Sequence, residues 1–212
     1  LLLTLSSIVT TILISIPLGI WSAVKQNKIT DYVIRVCTFI GNAMPNFFIA
    51  LLLIYVFALQ LHWFPVMGNN GFISIILPTL TLALAMSAKY TRQVRATVLD
   101  ELNKDYVIGA RARGIKERTI VLAHVLKSSM LTIVTLLGLS LGSLLGGTAI
   151  VESIFMWPGV GKLAVDAISS RDYQVIQVYV IWMAIIYVAI NLITDIVYHY
   201  LDPRIRIQGE EG

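Results

Sequence analysis

The sequence is poor in charged residues and nearly free of cysteine, and each shortage excludes a class of protein. Asp, Glu, Lys and Arg make up 13% of the 212 residues, about half the share that is usual in soluble domains. The single cysteine, Cys37, excludes a disulfide framework and a multi-cysteine metal cluster. The net charge of +4 comes from basic residues that lie between apolar runs, so it does not indicate nucleic-acid binding.

The chain also lacks an initiator methionine. It begins at Leu1 inside an apolar run, without the basic region or the small-residue cleavage site of a signal peptide. We therefore expect a fragment of a single transmembrane domain over residues 1–212, from which one or more upstream elements have been removed.

Hydrophobic residues make up 57% of the chain and are gathered into long runs. Five of these runs are close to the length of about 20 residues that crosses a bilayer as a helix. They predict an all-α transmembrane helical bundle whose spans cover residues 1–24, 36–61, 72–88, 130–151 and 175–196. Pro17 and Pro45 predict kinks within the first two spans.

The basic residues predict the orientation of the bundle. Fourteen of the 16 lie in the connections 25–35 and 89–129 or in the tail that begins at Asp202. Because Lys and Arg are enriched on the cytoplasmic side of membrane proteins, we place these three segments in the cytoplasm. Leu1 then lies outside.

The middle of the spans contains neither Lys nor Arg, which argues against a secondary carrier with an ionisable site at membrane depth. The polar residues that could line a pathway are Asn42, Asn46 and Glu152. For the two asparagines, hydrogen bonding between helices is the alternative interpretation.

Three glycines, Gly138, Gly142 and Gly146, recur at intervals of four in the fourth predicted span. Small residues on one helix face allow another backbone to approach closely. The spacing indicates either packing within this chain or contact with a second membrane subunit.

The sequence indicates neither a metal site nor a nucleotide-binding loop. His62, His124 and His199 lie in three different segments and share no helix face. The Gly-Val-Gly-Lys pattern at 159–162 lacks both the earlier glycine and the following Ser or Thr of a P-loop.

The long cytoplasmic connection 89–129 has its own predicted structure. A helix continues from the third span to about Leu102, breaks at 103–105, and is followed by a short helix over 106–113. Gly114 ends that short helix, and another helix begins at Glu117. A compact basic helix on two stalks fits either the groove of a soluble partner or an anionic membrane surface.

The segment 105–114, which reads DYVIGARARG, resembles the coupling loop of ABC importer permeases in the dipeptide, oligopeptide and nickel branch. The wider family has Glu-Ala-Ala, three residues and then Gly; here Ala110 and Gly114 match, and Ile108 and Gly109 replace the first two. The resemblance implies that this loop seats in a cleft of an ATPase subunit. The residues it assigns to that contact are Asp105, Tyr106, Gly109, Ala110, Arg111, Ala112, Arg113 and Gly114.

The likeness extends over most of the chain, through 16–21, 44–47, 147–152, 157–161, 171–173 and 201–206. It implies a type I ABC importer permease fold and a non-enzymatic subunit in the bacterial cytoplasmic (inner) membrane. The implied partners are a second permease, two ATPase subunits that hold ATP and Mg²⁺, and an extracytoplasmic solute-binding protein. No cofactor is expected in this chain. The likeness favours nickel, carried as a chelate, as the solute; dipeptides or oligopeptides are the alternative, and a secondary carrier is the alternative of another class.

Overall fold

The computed structural model describes residues 2–66, 71–130, 132–135, 138 and 148–201, and within these ranges the chain is helical without strands. The helices before the cytoplasmic connection are α1 (Leu2–Val24), α2 (Ile29–Ala43), α3 (Asn46–Leu53, continued by a π-helix Ile54–Gln60) and α4 (Ile76–Leu102, preceded by a 3₁₀ turn Gly71–Ile75). Those that follow are α5 (Asp105–Ala112), α6 (Glu117–Thr119, continued by a π-helix Ile120–Val125), α7 (Ala149–Ile154), α8 (Val160–Ser170) and α9 (Tyr173–Leu201).

Among the described residues, three helical segments are long and apolar enough to cross a membrane by themselves: Leu2–Val24, Gly71–Leu102 and Tyr173–Thr194. They confirm the first, third and fifth predicted spans, and the third continues as one helix to Leu102, as predicted. Most of the fourth predicted span, 130–151, lies outside the described residues.

The second predicted span, 36–61, is broken at Pro45, where a kink was predicted. The structure has a pair of helices, Ile29–Ala43 and Asn46–Gln60, that are bent by 104° at the break between them. Pro45 lies at this break and has no N–H to offer the preceding turn, so α2 ends there. The other proline, Pro17, lies inside α1, which continues through it.

Helices α1 and α4 form the most extensive contact of the bundle, and Gly19 makes their close approach possible. A Cβ atom added at Gly19 would lie 2.6 Å from the Cβ of Val94 and 3.0 Å from the carbonyl oxygen of Thr91. A larger residue at this position would therefore push the two helices apart.

Buried apolar residues form two clusters, one at each end of the bundle. The external cluster contains Leu3, Ala50, Ile54, Ala58, Leu77, Leu82, Val151 and Phe155. The cytoplasmic cluster contains Ala23, Val94, Val98, Val107, Ala110, Ile120, Val125 and Ile133. The cytoplasmic cluster joins the end of α1 and the cytoplasmic part of α4 to α5 and to the π-helix that follows α6.

A buried ion pair lies at the same end. Asp31 falls within the predicted connection 25–35, but it lies in the first turn of α2 and is 0% exposed. The Nε of Arg95 donates to its Oδ1 at 2.8 Å, and the Nη2 of Arg95 donates to its Oδ2 at 2.9 Å. The hydroxyl of Ser22 and the N–H of Asn27 donate to the same carboxylate at 2.6 and 3.0 Å. The Asp31 carboxylate thereby ties α1, α2 and α4 together.

Substitution of Asp31 by Ala leaves the guanidinium of Arg95 without its carboxylate. Because Arg95 keeps some exposure, we expect a loss in the lower part of the range for a broken buried pair, about 3 kcal/mol of unfolding free energy. Equilibrium unfolding of the purified chain in mixed micelles measures this loss. Arg92→Gln, an exposed position on the same helix, is the control and should change stability by less than about 0.5 kcal/mol. A D31A chain as stable as the unaltered one would show that the pair does not hold these helices.

Candidate functional site

The short helix α5 (Asp105–Ala112) confirms the predicted structure of the cytoplasmic connection. Helix α4 ends at Leu102, and Lys104 precedes the first residue of α5 in an extended conformation. After α5, Gly114 has a φ of +74°, which costs a residue with a Cβ about 1–2 kcal/mol. Its N–H donates to the carbonyl of Arg111 at 2.9 Å. Gly114 therefore allows the chain to turn directly from α5 toward α6.

One face of α5 is buried within the chain. Val107 and Ala110 are 0% and 3% exposed, and both belong to the cytoplasmic cluster with residues of α4 and of the π-helix that follows α6. A helix of eight residues is marginal by itself in water, so this burial is what holds α5 in place. Ala110, which the resemblance included in the ATPase contact, is thus packed against the bundle and holds the helix in place.

The opposite face of α5 is exposed. It carries Asp105, Tyr106, Ile108, Gly109, Arg111, Ala112 and Arg113, and Gly114 follows it. The apolar side chain of Ile108 is exposed to solvent, and Arg111 and Arg113 add positive charge. The combination of a small apolar centre with basic residues beside it suits docking into a groove on a soluble protein.

Gly109 stands out on this exposed face. A Cβ atom added at Gly109 meets no atom of the described chain within 4 Å, and the residue sits inside the helix, where glycine is less stable than alanine by about 1 kcal/mol. The fold of the described residues therefore gives no packing reason for a glycine here. A partner that approaches the backbone closely would supply one.

Two polar contacts hold the ends of α5. At its start, the carboxylate of Glu101 accepts from the hydroxyl of Tyr106 at 2.9 Å and from the ammonium of Lys104 at 2.5 Å. Partial burial, together with the acceptor Glu101, raises the pKa of Tyr106. These exposed contacts orient α5 more than they stabilise it.

At the end of α5, the guanidinium of Arg111 donates to Glu117 at 2.5 and 3.0 Å. Hydrogen bonding from Arg111 lowers the pKa of the Glu117 carboxyl. The ion pair is therefore complete at neutral pH and is lost only as the pH falls through that lowered pKa.

The residues proposed to line a pathway lie in two different environments. Asn42 and Asn46 are exposed and flank the break between α2 and α3. Glu152 is buried, and its carboxylate accepts from the backbone N–H of Lys162 at 2.8 Å in the first turn of α8. The N–H groups in the first turn of a helix have no acceptor within the helix, and they stabilise a carboxylate that lies beside them. Glu152 is thus a structural cap, and a role in the pathway does not follow from its position.

The same arrangement explains the glycines of the Gly-Val-Gly-Lys pattern. A Cβ at Gly161 would lie 2.7 Å from the Cα of Ala149 and 2.9 Å from the Oε2 of Glu152. The helix N-terminus therefore receives an internal carboxylate, and the glycines make room for it.

Of the three glycines spaced by four, only Gly138 is among the described residues. A Cβ at Gly138 would collide with the side chain of Thr194 in α9, which supports packing within the chain at this position. Gly142 and Gly146 lie outside the described residues. Over the part of the chain that is described, no group of three or more His, Cys, Asp or Glu side chains is placed to hold a metal ion.

Asp31 is the residue that the sequence analysis missed. It lies nine residues after its partner Ser22 and only two after the start of α2. The usable signal is that it is the sole acidic residue in the basic connection 25–35. A lone carboxylate among cations at a helix start is a candidate for pairing with a cation on another helix.

Comparison with known proteins gives a consistent family. Residues 15–207 match the family described as binding-protein-dependent transport system inner membrane component. The chain is 43% identical over 215 residues to the oligopeptide transport system permease protein AppB of Bacillus subtilis (strain 168), covering 97% of this chain and 68% of that protein. It is 39% identical over 204 residues to the glutathione transport system permease protein GsiC of Escherichia coli (strain K12), covering 96% and 67%.

The fold has a counterpart among solved structures. A chain from inward-facing conformations of the MetNI methionine ABC transporter aligns with a TM-score of 0.77, covering 94% of this chain and 91% of that one. The sequence identity is 16%, so this likeness concerns the fold alone.

Two leucine substitutions on α5 separate its buried face from its exposed one. Ala110→Leu overpacks the cytoplasmic cluster and should lower the unfolding free energy by about 1–3 kcal/mol. Gly109→Leu enters open space and should leave the stability of the isolated chain unchanged or slightly raised, because leucine is the better helix former. Unfolding of both purified variants in micelles, and co-purification of an ATPase subunit with each, measure the two effects.

We expect Gly109→Leu to lose the ATPase subunit while the chain itself stays stable. Equal retention of the ATPase by Gly109→Leu and the unaltered chain would contradict docking through this face. Equal stability of the Ala110→Leu variant and the unaltered chain would contradict the packing of Ala110 in the cytoplasmic cluster.

Proposed function

This chain belongs to the family of binding-protein-dependent transport system inner membrane components, and we propose that the solute its transporter carries is a short peptide. The chain is a permease subunit of an ABC importer and not an enzyme. Its class implies ATPase subunits and a partner permease. The proposal adds two ATPase copies holding ATP and Mg²⁺, an extracytoplasmic solute-binding protein, and a place in the bacterial cytoplasmic membrane as one transmembrane domain.

The relatives support a peptide better than nickel. AppB is named for oligopeptides and GsiC for glutathione, which is itself a tripeptide. From the sequence, a nickel chelate was the expected solute and peptides were the alternative, and these relatives favour the alternative. Both names describe other proteins, and their agreement on one chemical class of solute is the observation that supports the proposal.

The exposed face of α5 is the proposed contact with the ATPase. It carries the exposed apolar side chain of Ile108 beside Arg113, and a Cβ atom at Gly109 would meet no atom of the described chain within 4 Å. The buried face packs against the π-helix Ile120–Val125, which contacts α4 in turn, and Val98, Val107 and Ala110 belong to the same buried cluster. A displacement of α5 by the ATPase would therefore be transmitted to α4 and through it to the membrane-spanning bundle.

The break at Pro45 is the proposed wall of the translocation pathway. A Cβ at Gly41 would lie 3.1 Å from the Cβ of Ala88, and Ala88 is seven residues before Arg95 in α4, about 10 Å further from the cytoplasm along the helix. The break therefore falls at membrane depth.

The polar groups at the break between α2 and α3 favour contact with water. The ends of two helices leave carbonyl and N–H groups without intrahelical partners, and Asn42 and Asn46 are exposed beside them. Irregular backbone at membrane depth is tolerated only where it is covered by protein or lines a water-filled cavity. Because the side chains of Asn42 and Asn46 are exposed on this subunit, we place them at a hydrated space between the two permease subunits.

Cysteine accessibility tests the pathway. In a chain with Cys37→Ser, we expect Asn42→Cys and Asn46→Cys to react with a membrane-impermeant, charged thiol reagent in the assembled transporter. Ile185→Cys, on an exposed apolar stretch of α9, is the control and should stay unreactive because lipid excludes the reagent. If neither position 42 nor position 46 reacts faster than position 185, the break does not face a hydrated pathway.

Stimulated ATP hydrolysis tests the solute. The transporter is reconstituted with its binding protein, which is loaded with short peptides in one arm and with a nickel chelate in the other. We expect peptides to raise the rate of ATP hydrolysis and the nickel chelate to leave it at the basal level. Stimulation by the nickel chelate alone would contradict the peptide proposal while leaving the permease class intact.

A further inference from the structure

An apolar groove of about 610 Å³ lies at the cytoplasmic end of the bundle. Ile16, Ile20 and Val24 of α1 form one wall, and Val121, Leu122 and Leu126 form the other. The residues of the second wall belong to the helical segment that begins at Glu117 and follows α5 after residues 113–116. The volume of the groove is within the range of small-molecule sites, about 300–1,000 Å³, but the walls of the groove are apolar almost throughout.

The groove lies where the bilayer meets the cytoplasm. Its α1 wall ends at Val24, and Lys25 follows in the basic connection. Trp21, which also lines the groove, is 52% exposed, and tryptophan favours the headgroup level of membranes. One end of the groove is therefore at the depth of acyl chains and the other at the depth of headgroups.

The polar end of the groove carries a cation. Glu117 and Arg118 line it there, but the carboxylate of Glu117 is already paired with the guanidinium of Arg111. Among the described residues, no carboxylate lies within ion-pair distance of Arg118. Arg118 therefore leaves an uncompensated positive charge at the mouth of an apolar groove.

We propose that this groove binds an anionic phospholipid, with an acyl chain between α1 and the segment 117–126 and the headgroup phosphate at Arg118. Basic sites between helices on the cytoplasmic side are suited to anionic headgroups, and guanidinium pairs with phosphate through two parallel hydrogen bonds. A free phosphate would leave the apolar walls uncovered, so the walls and the cation together select a lipid.

The position of this site gives it a link to α5. Arg118 is adjacent to Glu117, and Glu117 holds Arg111 at the end of α5. A lipid phosphate at Arg118 would thus lie beside the ion pair that orients the coupling helix. The lipid site does not rest on the identity of the transported solute, and its test is independent of the ATPase.

Quenching of Trp21 fluorescence by brominated acyl chains tests the proposal. The full permease chain, with Trp63, Trp157 and Trp182 changed to Phe, is reconstituted into phosphatidylcholine vesicles that contain brominated phosphatidylglycerol or brominated phosphatidylcholine. We expect phosphatidylglycerol to be preferred about fivefold, which corresponds to the roughly 1 kcal/mol that one basic residue contributes near an anionic surface. High salt should reduce this preference.

Substitutions identify the residue that is responsible. Arg118→Gln should abolish the preference, while Arg92→Gln, an exposed arginine on α4 outside the groove, should leave it unchanged. Equal quenching of Trp21 by the two brominated lipids in the unaltered Arg118 chain would overturn the proposal, because it would indicate ordinary annular lipid. Absence of quenching by both lipids would also overturn it, because the groove would then be covered by protein.

Discussion

The burial of Val107 and Ala110 beneath α5 is the contact on which the working of this permease depends. Eight residues do not make a stable helix in water, and the cytoplasmic cluster supplies the missing stabilisation from α4 and the segment after α6. Because the same helix exposes Ile108, Gly109 and Arg111 on its other side, one short element is both fixed to the bundle and open to a partner. A displacement that a partner imposes on the exposed face of α5 is therefore transmitted to the bundle.

The Asp31 carboxylate extends this mechanical path into the membrane. Arg95 lies seven residues before Leu102 at the end of α4 and is bound to Asp31 through two hydrogen bonds. A movement of α4 therefore carries the start of α2 with it, and α2 leads to the break at Pro45. The coupling helix and the proposed pathway wall are joined by packed helices and one ion pair, with no flexible loop between them.

Local signals made α5 predictable from sequence, and the absence of such signals explains the failures. The Asn-Lys-Asp break and Gly114 each act within a few residues, so the bounds of α5 were predicted to within one residue. Pro45 predicted the position of the break in the second span, but hydropathy does not sense the size of the bend, which is 104°.

Partners that are distant in sequence account for the other failures. Ala110 seemed to belong to the docking face because the family motif does not tell which side of the helix is buried. Asp31 and Arg95 are 64 residues apart, and Glu152 and Lys162 meet only through a turn. Neither contact has a local pattern that hydrophobic periodicity could reveal.

A distance measurement between α5 and α4 in the working transporter tests the rigid connection most directly. Spin labels at Lys104→Cys, directly before α5 and outside its proposed docking face, and at Ala96→Cys on α4, both exposed positions, are introduced into a chain that carries Cys37→Ser. If the cytoplasmic cluster joins the two helices as one body, the distance distribution between the labels stays the same in the nucleotide-free and the ATP-bound transporter. A shift or a second distance on ATP binding would contradict this connection, because α5 would then move independently of α4.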